Sequence, residues 1–70
     1  MRDIAKEVGH QIRTERKLQG MSQEALAAKA NLDRSYMGRV ERGEVNVTLK
    51  ALWEIAEAMD VSIKILIPDS

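Results

Sequence analysis

The chain has 70 residues, eleven basic and eleven acidic side chains, no cysteine and one histidine. A domain of this size draws only ~3–5 kcal/mol from its core without staples or a partner chain, so a homodimer is a natural way to gain buried area. Disulfides and cysteine-based zinc sites are excluded, His10 alone cannot build a metal centre, and no Ser–His–Asp or Cys–His arrangement exists, so neither a cofactor nor catalysis is expected.

Arg2, Asp3, Lys6 and Glu7 interrupt any apolar stretch at the start, and no hydrophobic run reaches transmembrane length. The expectation is a cytoplasmic protein with no membrane partner. The first helix should run from about Asp3 to Gln19. Ile4, Val8 and Ile12 recur every four residues and give it a core-facing stripe. Gly20 ends it, where a left-handed residue costs little.

Ser22 reads as the N-cap of a second, short helix from Gln23 to about Ala30. Leu26, Ala27 and Ala30 share one face, and the alanines permit another helix to approach closely. Asn31 and Leu32 make a tight connection. Asp33 caps the third helix, "DRSYMGRVER", which Gly43 stops. Glu44 to Val47 form a loop. Thr48 caps a fourth helix, about Leu49 to Met59, whose buried stripe is expected to be Leu49, Leu52, Ile55, Ala56 and Met59, with Asp60 ending it.

In the tail, "VSIKILIPDS", Val61, Ile63, Ile65 and Ile67 fall at period two, which favours a strand stopped by Pro68. A short fifth helix capped by Ser62 is the competing arrangement.

The third helix has two faces. With Arg34 at zero and about 100° per residue, Tyr36, Met37 and Val40 occupy one arc. Arg34, Ser35, Gly38, Arg39 and Arg42 occupy the other. A solvated face normally mixes lysine and glutamate four residues apart. Here Glu41, at the edge, is the acid on that face. Net charge is zero, but Lys29, Arg34, Arg39 and Arg42 face only Asp33 and Glu41 between Lys29 and Gly43. Beyond Glu54, Lys64 stands against Glu54, Glu57, Asp60 and Asp69. A locally basic patch with an acidic far end can bind a polyanion in one orientation. Gly38 costs the helix ~1 kcal/mol relative to alanine. Either it is tolerated, or it lets a large partner approach the backbone.

Two short helices joined by a tight turn, the second carrying arginines, describe a helix-turn-helix. The segment "MSQEALAAKANL", followed at these separations by "ERG" and "TLKAL", resembles the lambda-repressor-like, Xre-type DNA-binding domains over about residues 8–62. Within that family, "LDRSYMGRVERG" and "NVTL" look most like the controller proteins of restriction–modification systems. The resemblance implies an all-α domain of four or five helices over residues 1–70. It implies double-stranded DNA as partner, with the third helix in the major groove.

The family pattern then assigns roles. Arg34, Ser35 and Arg39 would contact base edges, arginine pairing with guanine O6 and N7. Gln23 would bond a phosphate and brace the recognition helix. Tyr36, Arg42 and Asn46 would hold the DNA backbone, although Tyr36 fits the core equally well. Arg16 and Glu41 match a partly buried ion pair between the first and third helices. Family members usually pair on pseudo-palindromic operators, and Trp53, at the rim of the fourth helix's apolar arc, suits such an interface. Residues 61–67 form the expected dimerisation segment, with Ile63, Ile65 and Ile67 on a short strand paired across the dimer. Many relatives continue there with a helix. A strand instead resembles some antitoxin-type Xre proteins, and an antitoxin that binds a toxin and autoregulates its operon is the alternative reading.

Overall fold

Each helix begins at a side chain suited to the purpose. In the computed structural model, which describes residues 1–69, α1 (Ile4–Leu18), α2 (Gln23–Lys29), α3 (Arg34–Glu41) and α4 (Leu49–Ala58) follow in order, and a 3-10 turn spans Ile63–Leu66. Asp3, Ser22, Asp33 and Thr48 each accept a hydrogen bond from the backbone N–H three residues on, at 3.0–3.1 Å. Each satisfies one of the donors that a helix start leaves without an intrahelical partner.

The helix ends are equally regular. Met21 N donates to Arg16 O at 3.1 Å, Leu32 N to Ala27 O at 2.8 Å, Glu44 N to Arg39 O at 2.9 Å and Val61 N to Ala56 O at 3.0 Å. Each is the long bond of a Schellman motif, which requires a left-handed residue just before it. Gly20, Asn31, Gly43 and Asp60 fill those places, with φ between 56° and 73°. After three of the turns the chain re-enters with an apolar residue, Met21, Leu32 or Val61, packed against the core. The same backbone device that ends a helix therefore also aims the chain back inward.

The core is aliphatic. Ile12, Leu26, Met37, Ile55 and Leu66 are fully buried, with Val40 and Met59 nearly so. α3 packs on α1 and α2, α2 also packs on α4, and the C-terminal turn closes against α4 and α1. Gly9 sets how close α1 and α3 come. A Cβ there would lie 2.4 Å from the Val40 carbonyl oxygen and 2.6 Å from that of Glu41. Those atoms are backbone and cannot swing aside.

Three expectations are corrected. Residues 61–67 form no strand; the tail is helical in its tightest form. Ser62 Oγ accepts from Lys64 N at 3.2 Å, and Ile65 N donates to Ser62 O at 3.1 Å. The reason is the position of Leu66. A strand with Val61, Ile63, Ile65 and Ile67 inward would turn Leu66 out, whereas the 3-10 period of three puts Ile63 and Leu66 on one side. Leu66 is then completely buried. Second, Leu49 is not part of the buried stripe of α4. It is 75% exposed, because it lies in the first turn at the edge of an arc centred on Ile55. Third, Gly38 is not an open place on the outer face of α3. It is buried, with Arg42 Nη1 and Gln23 Oε1 lying 3.1 and 3.4 Å from where its Cβ would be. Missing bulk at residue 38 admits two neighbouring side chains of this same domain.

No helix among the described residues is long and apolar enough to cross a membrane.

Candidate nucleic-acid interface

The arginine face of α3 is held from behind by a buried polar network. Arg16 Nε donates to Glu41 Oε2 at 2.8 Å, and Arg16 Nη2 to Glu41 Oε1 at 2.9 Å. Arg16 Nη1 donates to the Met21 carbonyl at 2.9 Å, and Gln23 Nε2 to Glu41 Oε1 at 3.2 Å. Both charged side chains are nearly sealed from water. Four groups thus join the last turn of α1, the first turn of α2 and the last turn of α3. Such a network costs desolvation and is stabilising only when every member is paired. No buried side-chain polar atom among the described residues lacks a partner.

The network explains how one sequence stretch acquires two faces. Met37 and Val40 go into the core with Tyr36 half-buried beside them, while Arg34, Ser35, Arg39 and Arg42 stay in solvent. Helix geometry spreads those four over an arc of about 140°. Gln23 and Arg42 meet over Gly38, which brings the start of α2 to the same face.

Two of the arginines are already in ion pairs. Arg34 Nη2 lies 3.1 Å from Glu24 Oε1. Arg42 donates to both carboxylate oxygens of Glu44, from Nε at 2.8 Å and from Nη2 at 3.3 Å. The Arg42 hydrogen bond holds the Glu44 carboxyl below its ordinary range, outweighing the opposing effect of desolvation, with smaller help from the Arg42 and Arg39 charges. The same bond pushes the Arg42 guanidinium above its own.

Most of the expected DNA-contact residues therefore come together. Arg34, Ser35, Arg39, Arg42 and Gln23 share one surface. Tyr36 borders that surface but gives much of its ring to the core. Asn46 is exposed and lines a shallow apolar depression with Ile4, Val47, Leu49 and Ile67. Trp53 is 54% exposed, one turn after Leu49 on the same side of α4. Ile65 and Ile67 are also exposed, whereas Ile63 packs against its own core.

Three residues escaped the sequence reading. Glu24 and Glu44 gave no signal, since each is a surface acid whose partner is distant in sequence or set by a turn. Gly9 did give one. On a wheel it falls at about 140° from Ile4, beside Arg16 at about 120° and near Ile12 at about 80°. A glycine on the core-facing arc of a helix marks a close approach.

A family model described as helix-turn-helix matches residues 12–66. The control protein C.SmaI of Serratia marcescens is 41% identical over 61 residues, 87% of this chain and 73% of that protein. The control protein C.MunI of a Mycoplasma species is 34% identical over 70 residues, 99% of this chain and 95% of that one. Among solved structures, the restriction-modification controller protein C.AhdI from Aeromonas hydrophila superposes with a TM-score of 0.87 at 42% identity, covering 89% of this chain and 94% of that one. The chain belongs to the helix-turn-helix family, in its Xre-type, lambda-repressor-like branch of DNA-binding transcriptional regulators.

Proposed function

We propose that the protein is a sequence-specific regulator that binds a pseudo-palindromic operator as a homodimer, and that it controls a restriction–modification operon. The observation that carries the first part is the face of α3, where Arg34, Ser35 and Arg39 stand free of the core on a helix anchored by the Arg16–Glu41–Gln23 network. A rigid helix with exposed arginines suits direct reading in the major groove, which is wide enough to admit it. Arg34 and Arg39 read guanines and Ser35 reads an adjacent base. Gln23, Tyr36, Arg42 and Asn46 hold phosphates, which sets register without reading sequence. The second part rests on the names of the relatives, C.SmaI, C.MunI and C.AhdI, which are control or controller proteins.

Dimerisation is the work of the exposed apolar residues Trp53, Ile65 and Ile67, with Leu49 beside Trp53. Ile63, half-buried against its own core, is less available to a partner. A core this small leaves stability in short supply, and covering the patch supplies more. The antitoxin reading leaned on a paired C-terminal strand, and the 3-10 turn removes that support.

Selection from random duplexes, followed by sequencing, tests the proposal. The expected product is an inverted repeat whose half-sites lie about 34–36 Å apart, one helical turn of DNA. Enrichment of a single asymmetric site, or of no sequence, would refute it.

A further inference from the structure

We propose that Glu24 is a positioning residue for base recognition, aiming the Arg34 guanidinium at its guanine. The inference rests on the reading of Arg34 as a base-contacting residue and deepens it.

The start of α2 is fixed before Glu24 is reached. Ser22 caps the helix through Ala25 N at 3.0 Å, and Gln23 is tied to the buried Glu41 at 3.2 Å. Glu24 is the next residue, so its backbone is anchored to the same network that anchors α3. From there its Oε1 reaches Arg34 Nη2 at 3.1 Å, at the first residue of α3. Asp33, the neighbouring acid, is occupied in capping Tyr36 N at 3.1 Å. Glu24 is thus the carboxylate in contact with the Arg34 guanidinium.

The geometry of the contact suits a guide better than a lock. Glu44 takes both the Nε and the Nη2 of Arg42, which spends one whole edge of that guanidinium. Glu24 makes its closest approach to Arg34 at a terminal nitrogen, Nη2, at 3.1 Å. A guanidinium carries five N–H donors in a planar fork, so a contact at that nitrogen leaves an edge for bidentate pairing with guanine O6 and N7. In the free protein the pair is exposed, its side chains 70% and 64% accessible, and such pairs contribute little in water. A duplex laid over α3 excludes that water, and the attraction between the two charges grows as the local dielectric falls. The contact then restrains a long, flexible side chain where its aim decides which base is accepted.

The test uses the selected operator, the same duplex with the Arg34-contacted guanine replaced, and a random-sequence duplex. Glu24→Asp keeps the charge and shortens the reach; Glu24→Gln keeps the length and removes the charge. Both should melt like the parent. Glu24→Asp should bind random DNA as the parent does, yet lose about fivefold of the discrimination at that one guanine, the low end of what an arginine–guanine pair supplies. Glu24→Gln should show the same loss together with tighter binding to random DNA, since an anion has left the face. In an Arg34→Ala background neither substitution should change discrimination further. Full discrimination by Glu24→Asp, or equal loss at every base pair, overturns the inference. If Arg34→Ala itself leaves discrimination at the guanine intact, the base-reading role of Arg34 fails and Glu24's role fails with it. If Arg34→Ala relaxes it and the Glu24 variants do not, only the role of Glu24 fails.

Discussion

Arg16 and Glu41, 25 positions apart in sequence, meet edge to edge through two parallel hydrogen bonds, 2.8 and 2.9 Å long, with almost no exposure to water. The pair lies directly behind the arginine face, and its free carboxylate capacity goes to Gln23. Its role is orientation as much as stability. Breaking one side leaves a buried charge alone, which costs about 3–5 kcal/mol. That matches the whole reserve of a domain this small. Glu41→Leu or Arg16→Met alone should therefore be largely unfolded at 25 °C by circular dichroism. The double variant should recover most of the urea midpoint. Equal loss in all three would show that the pair contributes net stability beyond mutual neutralisation.

Gly9 and Gly38 should respond oppositely to alanine. At residue 9 the new methyl would meet the backbone carbonyls of Val40 and Glu41 at 2.4–2.6 Å, so α1 and α3 must separate. A cost of about 1–3 kcal/mol or more follows from overpacking. At residue 38 the tightest contact, 3.1 Å, is to the far end of the exposed Arg42 side chain, which can move. Gly38→Ala should raise the melting temperature through as much as ~1 kcal/mol of helix propensity. Thermal unfolding of both variants checks the pair of signs.

Arg34 and Arg42 should separate by readout. Arg34→Ala and Arg39→Ala should lose about 1–3 kcal/mol of discrimination between the operator and single-base variants. Arg42→Ala should weaken all duplexes alike and lower the salt slope by about one. Titrations at several salt concentrations distinguish the two classes. Uniform weakening by Arg34→Ala would sink its assignment to a base.

Neighbouring residues in the tail should behave unlike each other. Leu66 is fully buried and Ile65 is exposed. Leu66→Ala should cost about 2–5 kcal/mol as a cavity in the core, seen as a lower urea midpoint. Ile65→Asp should leave the fold intact and produce monomers in sedimentation velocity. An unchanged dimer would remove the tail from the interface.

Local chemistry alone was enough to place the four helices. Asp3, Ser22, Asp33 and Thr48 are capping residues, and Gly20 and Gly43 are left-handed stops, so each boundary is decided by side chains within a few residues of it. The division of α3 into Met37 and Val40 inside and arginines outside likewise follows from the helical repeat. So does the helix-turn-helix pattern that marks the family.

Tertiary structure decided the rest, because the deciding partners are far apart in sequence or compete for one place. Period two in the tail was real in the sequence, but one hole in the core fits Leu66, and filling it selected the 3-10 turn over a strand. Gly38 stood equally well as a tolerated residue or as a gap for an outside partner until Gln23 and Arg42 were brought over it. Gly9 became the contact point of α1 and α3 only once their separation was known. The pairing of Glu24 with Arg34 depends on how the first turns of α2 and α3 face each other, a relation no local spacing encodes. Caps, stops and periods act within a turn of helix, whereas packing chooses among them by burying one set of side chains at the expense of another.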